Sequence, residues 1–164
     1  MRKQHIAYFH HVHSTFKEFC ALDFIPKLKI WTDKHSKTKY QSSSFTTLSL
    51  PCFNIFRELF YFKGKKIVPK NIDELLTYRG LAYWIMDDGS IQNKGLHLNT
   101  YGFSDEDVEL LLNTLKIKFL LKCSIHKHKS GKRIYIWEES MESLRINLLE
   151  YTHKDMLYKI GISF

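Results

Sequence analysis

Apolar residues recur along the chain with two different periods, and the switches between them lay out its elements. Ile6, Phe9, Val12, Phe16, Phe19 and Cys20 fall three to four apart, which predicts a helix over residues 5–22 with one face toward a core. Phe24-Ile25-Pro26 ends it. Lys27-Leu28-Lys29-Ile30-Trp31 alternates, predicting a strand with Leu28 and Ile30 inward and Lys27, Lys29 and Trp31 outward. Residues 40–50, rich in Ser and Thr, predict a second strand with a polar face. Pro51 opens a second helix, with Ser49 as its candidate cap; Phe53, Ile55, Phe56, Leu59, Phe60 and Phe62 are expected to bury it. Residues 63–70 read as a basic loop, and Asn71 as the cap of a short turn through Leu75 and Leu76.

Residues 80–90 are the centre of the pattern. Gly80 to Met86 is a short apolar run without Pro, too short to cross a bilayer, and it ends abruptly in Asp87-Asp88-Gly89. Gly80 and Ala82 would let a second helix approach closely, and Gly89 is a natural helix terminator. Two acids at the end of a buried helix are costly unless a metal or a Lys sits beside them. The run therefore reads either as a packed helix delivering a carboxylate to a site or as an interior helix with a solvated acidic end.

After it, Leu96, Leu98 and Thr100 alternate with His97, Asn99 and Tyr101. Ser104 caps a helix whose stripe is Val108, Leu111, Leu112, Leu115 and Phe119, with acids at 105–107 suited to its positive end. Cys123 to His128 and Arg133 to Trp137 predict a hairpin around residues 129–132. Ile125, Ile134 and Ile136 point inward; Ser124, His126, His128, Arg133 and Tyr135 point outward. Ser140 caps a further helix through Leu144, Leu148 and Leu149, and a last turn over 154–159 ends at Gly161. From residue 80 the order is αββαββα. Residues 5–62 supply helix, strand, strand, helix, which is the same unit without its leading helix and first hairpin.

Composition narrows the partner. The 164 residues carry 25 Lys+Arg against 17 Asp+Glu, a formal charge of +8, with nine His besides. That balance favours a polyanion, above all nucleic acid. Outward residues such as His126, Arg133 and Tyr135 can hydrogen-bond base edges or phosphates. Cys20, Cys52 and Cys123 are too far apart for a zinc finger or a disulfide framework. No apolar run is long enough for a membrane span and no signal peptide is visible, so no membrane partner is expected. The wealth of Lys, Ile, Phe, Leu, Tyr and Asn is what an A+T-rich gene encodes, as in an organelle genome.

Leu81 to Gly89 resembles the nine-residue signature of the LAGLIDADG homing endonucleases: Leu81-Ala82 match its start and Asp88-Gly89 its end. The resemblance continues through Leu96 to Thr100, the helix near 104–120, the hairpin near 123–137 and Met156-Leu157-Tyr158-Lys159, and reaches back to Lys65 to Pro69. It implies an α+β fold with a saddle-shaped antiparallel sheet. Residues 79–164 would form a complete half and residues 1–78 an incomplete first half. It also implies hydrolysis of phosphodiesters, with Mg²⁺ held by carboxylates and phosphates. Asp88 is then the catalytic and metal-binding acid, with Asp87 as the alternative. Lys66 and Lys159 are the basic residues near the centre, Lys65 remaining open beside Lys66. Lys27, Lys29, Lys65, His97, Asn99, Tyr101, His126, His128, Arg133 and Tyr135 would face nucleic acid.

The family pairs two such helices, each bringing one acid, and nothing before residue 23 supplies the first. Three outcomes stay open. A separate polypeptide brings it, two copies pair, or cleavage is lost and the basic scaffold binds RNA as an intron maturase or as part of an organellar ribosome. The implied partners are accordingly DNA or structured RNA, a second LAGLIDADG chain, or a large RNA-protein assembly. The implied location is an organelle, the mitochondrion before the chloroplast.

Overall fold

Seven consecutive elements between Tyr78 and Leu148 make one αββαββα unit. In the computed structural model, which describes residues 5–33 and 35–162, these are α4 (Tyr78–Asp88), β5 (Gly89–Gln92), β6 (Gly95–Asn99), α5 (Asp105–Ile117), β7 (Cys123–His128), β8 (Gly131–Ile136) and α6 (Glu138–Leu148). The strands form one antiparallel sheet in the order β5-β6-β8-β7. A 3₁₀ segment, Lys154–Ile160, closes the described chain and ends at Gly161 in the left-handed conformation. Ahead of α4 lie α1 (Ile6–Phe16), β1 (Lys29–Thr32), β2 (Lys39–Ser42), α2 (Asn54–Phe60), β3 (Tyr61–Phe62), β4 (Lys65–Lys66) and α3 (Ile72–Leu75). The chain divides into two compact units, Met1–Asn54 and Ile55–Phe164.

The core belongs to the second unit. Leu81, Ala82, Ile85 and Met86 of α4 are one helical face and are all at most 1% exposed. They join Leu96 and Leu98 of β6, Ile134 and Ile136 of β8, Leu111, Leu112 and Leu115 of α5, and Leu144 and Leu148 of α6. Burying each such side chain contributes roughly 1.5–3 kcal/mol, and a one-residue slip of β6 or β8 would expose the whole set. Register is thereby fixed: Leu98 pairs with Ile134 and His97 with Tyr135. α5 starts with a complete capping box between Ser104 and Asp107, and Asp107 also accepts from the Val68 backbone N–H at 3.1 Å.

Several expectations are revised. α4 begins at Tyr78, because the Thr77 hydroxyl accepts from the Gly80 N–H at 3.1 Å. Gly89 ends the helix without turning left-handed; it is extended and opens β5 directly. A Cβ there would lie 2.5 Å from the Ile85 carbonyl oxygen, so the abrupt switch from helix to strand needs glycine. Ser140 is not the cap of α6. Trp137 holds that position, and the Ser140 hydroxyl instead accepts from the Lys122 N–H at 2.7 Å. Residues 63–70 are not all loop: β3 and β4 pair across Lys63-Gly64, both at positive φ, as a two-residue hairpin requires.

In the first unit, the predicted strand over 40–50 stops at Ser42. The chain leaves the ladder so that Phe45 can pack on Phe9, His13 and Phe16, and Leu48 N–H can reach the Phe19 carbonyl at 2.7 Å. β1 is exposed along its length, Ile30 included, and so is Leu28 just ahead of it. The expected burial of Ile55, Phe56 and Phe62 is not found: they are 65%, 55% and 61% exposed, while Phe60 does pack on the core.

Candidate nucleic-acid interface and acidic centre

Leu96, Leu98, Ile134 and Ile136 take one face of the four-stranded sheet, so the alternate residues take the other. Strand register sets these in rows. One row is Ser90, His97, Tyr135 and Ser124; the next is Asn99, Arg133 and His126. Seven of the ten sequence-selected binding residues, from His97 to Tyr135, thus belong to this face or its margin. Tyr101 and His128 lie just beyond, with stacked rings and the tyrosine hydroxyl 2.9 Å from His128 Nδ1. Lys65 sits in β4, and Lys27 and Lys29 belong to the first unit, where Trp31 stacks on Tyr40.

The middle of the face is a packed aromatic block. The His126 ring stacks on Tyr135 at 4.9 Å, and His97 lies 4.8 Å from Tyr135. His97 Nε2 is 3.3 Å from His126 Nδ1, and His126 Nε2 is 3.1 Å from the Ser124 hydroxyl. His97 is 5% exposed. Burial, with Arg133 and the neighbouring histidines adding to it, pushes its pKa down to about 4, so it is neutral at physiological pH. His97 Nδ1 and Arg133 Nε are buried without a hydrogen-bond partner. Unpaired groups of that kind cost stability.

Trp137 was absent from the sequence-based set. Its ring meets Tyr135 at 5.2 Å and His126 at 6.3 Å, on the same face. The signal was present: Arg133, Tyr135 and Trp137 continue a period of two. Gly95 is required under this block, since a Cβ would lie 2.4 Å from the Tyr135 hydroxyl.

The acidic end of α4 adjoins this sheet. Asp87 and Asp88 are both exposed. Asp88 lines a cavity of about 380 Å³ together with Lys66, and Phe60, Val68, Leu76 and Trp84 form apolar walls. Lys159 is half-buried and donates to the Gly89 carbonyl at 2.7 Å. Burial lowers its pKa, and the nearby charges of Asp87 and Asp88 pull the other way. Acid and both lysines are therefore grouped around one helix end, with Lys159 held on the backbone rather than projecting freely. Asn99 also reaches the end of α4: its amide donates to the Asp88 carbonyl at 3.0 Å.

Among the described residues, no cluster of three or more His, Cys, Asp or Glu could enclose a metal ion. The donor set fits Mg²⁺ in a narrower way. Asp87 and Asp88 offer hard carboxylate oxygens at the surface, and Mg²⁺ keeps waters and takes phosphate oxygens for its remaining positions. No described helix is long and apolar enough to cross a membrane.

Known proteins resemble this chain over most of its length. The chain is 37% identical over 142 residues to the intron-encoded endonuclease ai4 of Dictyostelium discoideum, covering 85% of this chain and 87% of that one. It is 35% identical to the cytochrome b mRNA maturase bI2 of Saccharomyces cerevisiae, over 95% of this chain but 39% of the maturase. A solved structure, the homing endonuclease I-WcaI bound to its DNA recognition sequence, superposes with a TM-score of 0.85 at 32% identity, covering 96% of this chain and 72% of that one. The family model described as the LAGLIDADG DNA endonuclease family matches residues 1–144. An acid-tipped helix running straight into the sheet, matched over nearly the whole chain, makes this protein a member of the LAGLIDADG DNA endonuclease family.

Proposed function

We propose that the protein binds nucleic acid on the face of the β5-β6-β8-β7 sheet and, with a second LAGLIDADG acid supplied by a partner, cleaves both strands of DNA. The observation that supports this most is the grouping of Asp88, Lys66 and Lys159 at the end of α4, beside a sheet face carrying Arg133, His126 and Tyr135. Residues 1–78 are an incomplete first copy of the unit and residues 79–164 a complete one. What supports this is that α1, α2 and α3, the helices ahead of α4, do not end in an Asp-Gly pair, whereas α4 does.

In this reading Arg133 and the basic hairpin at Lys65 and Lys66 neutralise backbone phosphates, the outward histidines offer hydrogen bonds, and together they set the register of the duplex. The sheet residues then read base edges. Asp88, with Asp87 beside it, would hold Mg²⁺, and the chemistry that ion would supply when bound is Lewis-acid stabilisation and a more acidic water. The Asp88 carboxylate places that charge at the end of α4. Lys66 neutralises the charge developing on the phosphate. Lys159, its cation kept near Asp87 and Asp88, holds the backbone from which both acids project. Hydrolysis forms a new phosphorus–oxygen bond from water and releases the sugar oxygen, which takes up a proton.

The test is Asp88→Asn, assayed with Mg²⁺ and the partner. It should lower cleavage by about a thousandfold or more while nucleic-acid binding stays near that of the parent chain. Equal loss of both would make Asp88 structural and remove the proposal.

A second reading is supported by the maturase relative: the same face grips structured RNA by shape and backbone, without cleavage, in intron splicing or an organellar ribosome. An organelle, the mitochondrion before the chloroplast, is the expected location in both. The mass of the native complex with and without RNase separates them. A dimer, or a pairing with another LAGLIDADG chain, supports cleavage; an RNA particle that collapses supports the second reading.

A further inference from the structure

The last four carbonyls of a helix have no partner further along it, and the carbonyl of Asp88 is one of these in α4. Its partner comes from the sheet. Gly89 pairs with Leu98, so the next residue of β6, Asn99, stands opposite Asp88 where helix becomes strand. The Asn99 amide donates to the Asp88 carbonyl at 3.0 Å. The neighbouring carbonyl, of Gly89, receives Lys159 at 2.7 Å. Gly89 has no room for a side chain, with a Cβ position 2.5 Å from the Ile85 carbonyl oxygen. The backbone on which Asp88 is mounted is thus held from three sides. Asn99 is also the register partner of Arg133, so the residue that holds the acid stands on the nucleic-acid face itself.

We propose that Asn99 is a positioning residue for Asp88, and not chiefly a reader of bases. The proposal rests on the cleavage reading above. Accepting a bond at its carbonyl restrains the Asp88–Gly89 peptide plane and with it ψ of Asp88; a backbone held in one conformation narrows the side-chain rotamers that Asp88 can adopt, and so the direction of its carboxylate. The bond demands a donor of this length. The acceptor is a carbonyl, so only the NH₂ end of the amide can serve, and the amide oxygen is turned away. Leu has the same branching without a donor; Gln keeps the donor one methylene further out. Preorganisation of a metal-holding carboxylate is worth much because small misplacements are costly: about 1 Å can lower a rate roughly a hundredfold.

The experiment uses the full chain. Three-bond couplings across χ1 of Asp88, measured in the absence of nucleic acid, report whether its side chain occupies one rotamer. The parent chain should show one, Asn99→Leu an average of several, and Asn99→Gln an intermediate pattern nearer the parent. On a duplex that the parent chain cleaves with Mg²⁺ and the partner, Asn99→Leu should lower kcat roughly 10- to 100-fold with KM little changed, and Asn99→Gln should recover part of it. Asp88 couplings in Asn99→Leu equal to those of the parent overturn the proposal whether or not the chain cleaves DNA. Averaged couplings with an unchanged kcat overturn it too, as does a rise in KM alone, which would make Asn99 a binding residue. If the parent chain cleaves no DNA even with the partner that brings the second acid, while Asn99→Leu frees the Asp88 side chain, the cleavage reading fails and the hold of Asn99 on Asp88 stands.

Discussion

The two compact units carry comparable elements and treat them differently. In the second, both faces of the story are resolved: β6 and β8 bury Leu96, Leu98, Ile134 and Ile136 under three helices and leave a polar, aromatic face outside. In the first, residues 27–31 leading into β1 alternate just as clearly in sequence, yet Leu28 and Ile30 are 48% and 62% exposed. Its packing is instead an aromatic cluster in which Phe45 touches Phe9, His13 and Phe16. The difference shows that alternation specifies a sheet face only when something is there to cover it. Two strands alone cannot bury a face, whereas four strands and three helices can.

The comparison can be broken most sharply in the second unit's core. Leu98→Ala should cost about 2–5 kcal/mol in urea unfolding, since its side chain is fully buried between helices and sheet. A loss under about 1 kcal/mol would mean the core is looser than the register implies. Gly89→Ala comes next, at roughly 1–3 kcal/mol, because its methyl meets the Ile85 carbonyl; stability equal to the parent would show that the α4-to-β5 switch can relax.

On the proposed binding face, Arg133→Ala should weaken nucleic-acid affinity by about 1–3 kcal/mol and reduce the salt slope by about one. Lys29→Ala is the matched probe of the first unit. If it has the larger effect, the interface is centred there instead. His97 gives a pH test. Its folded pKa is about 4 against an ordinary 6.5. Above 6.5 both folded and unfolded forms are neutral; between 6.5 and 4 the unfolded chain takes up the proton first. Stability therefore falls as pH drops through that window. The urea midpoint should fall between pH 7 and pH 4.5, and His97→Gln should flatten that change; an identical slope in the variant would discard the assignment. Smallest of all, Ile30→Ala should shift stability by no more than about 0.5 kcal/mol, as its side chain is largely solvated.

Much of the site was legible because period and chemistry coincide. Arg133, Tyr135, His97 and Asn99 alternate with buried Leu and Ile, and any sheet that buries the latter must present the former together. Other residues carried no local signal. Ser140 looks like a cap, yet its hydroxyl serves Lys122, which is remote in sequence. Asn99 reads as one more outward polar residue; its hold on the Asp88 carbonyl exists only because β5 and β6 pair in one register. Ile55, Phe56 and Phe62 have a core-like spacing and remain exposed, because periodicity reports which residues could be buried together and not whether a partner surface covers them.

By itself, the sequence determined the αββαββα order, the acid-tipped helix and the polar composition of one sheet face. Helix and strand periods and the Asp-Gly ending are properties of neighbouring residues. The tertiary structure decided which carbonyls Asn99 and Lys159 hold, that His97 is neutral, and that Lys66 shares a cavity with Asp88. Each of those depends on groups far apart in the chain brought within a few ångströms, and on the water that packing removes from between them.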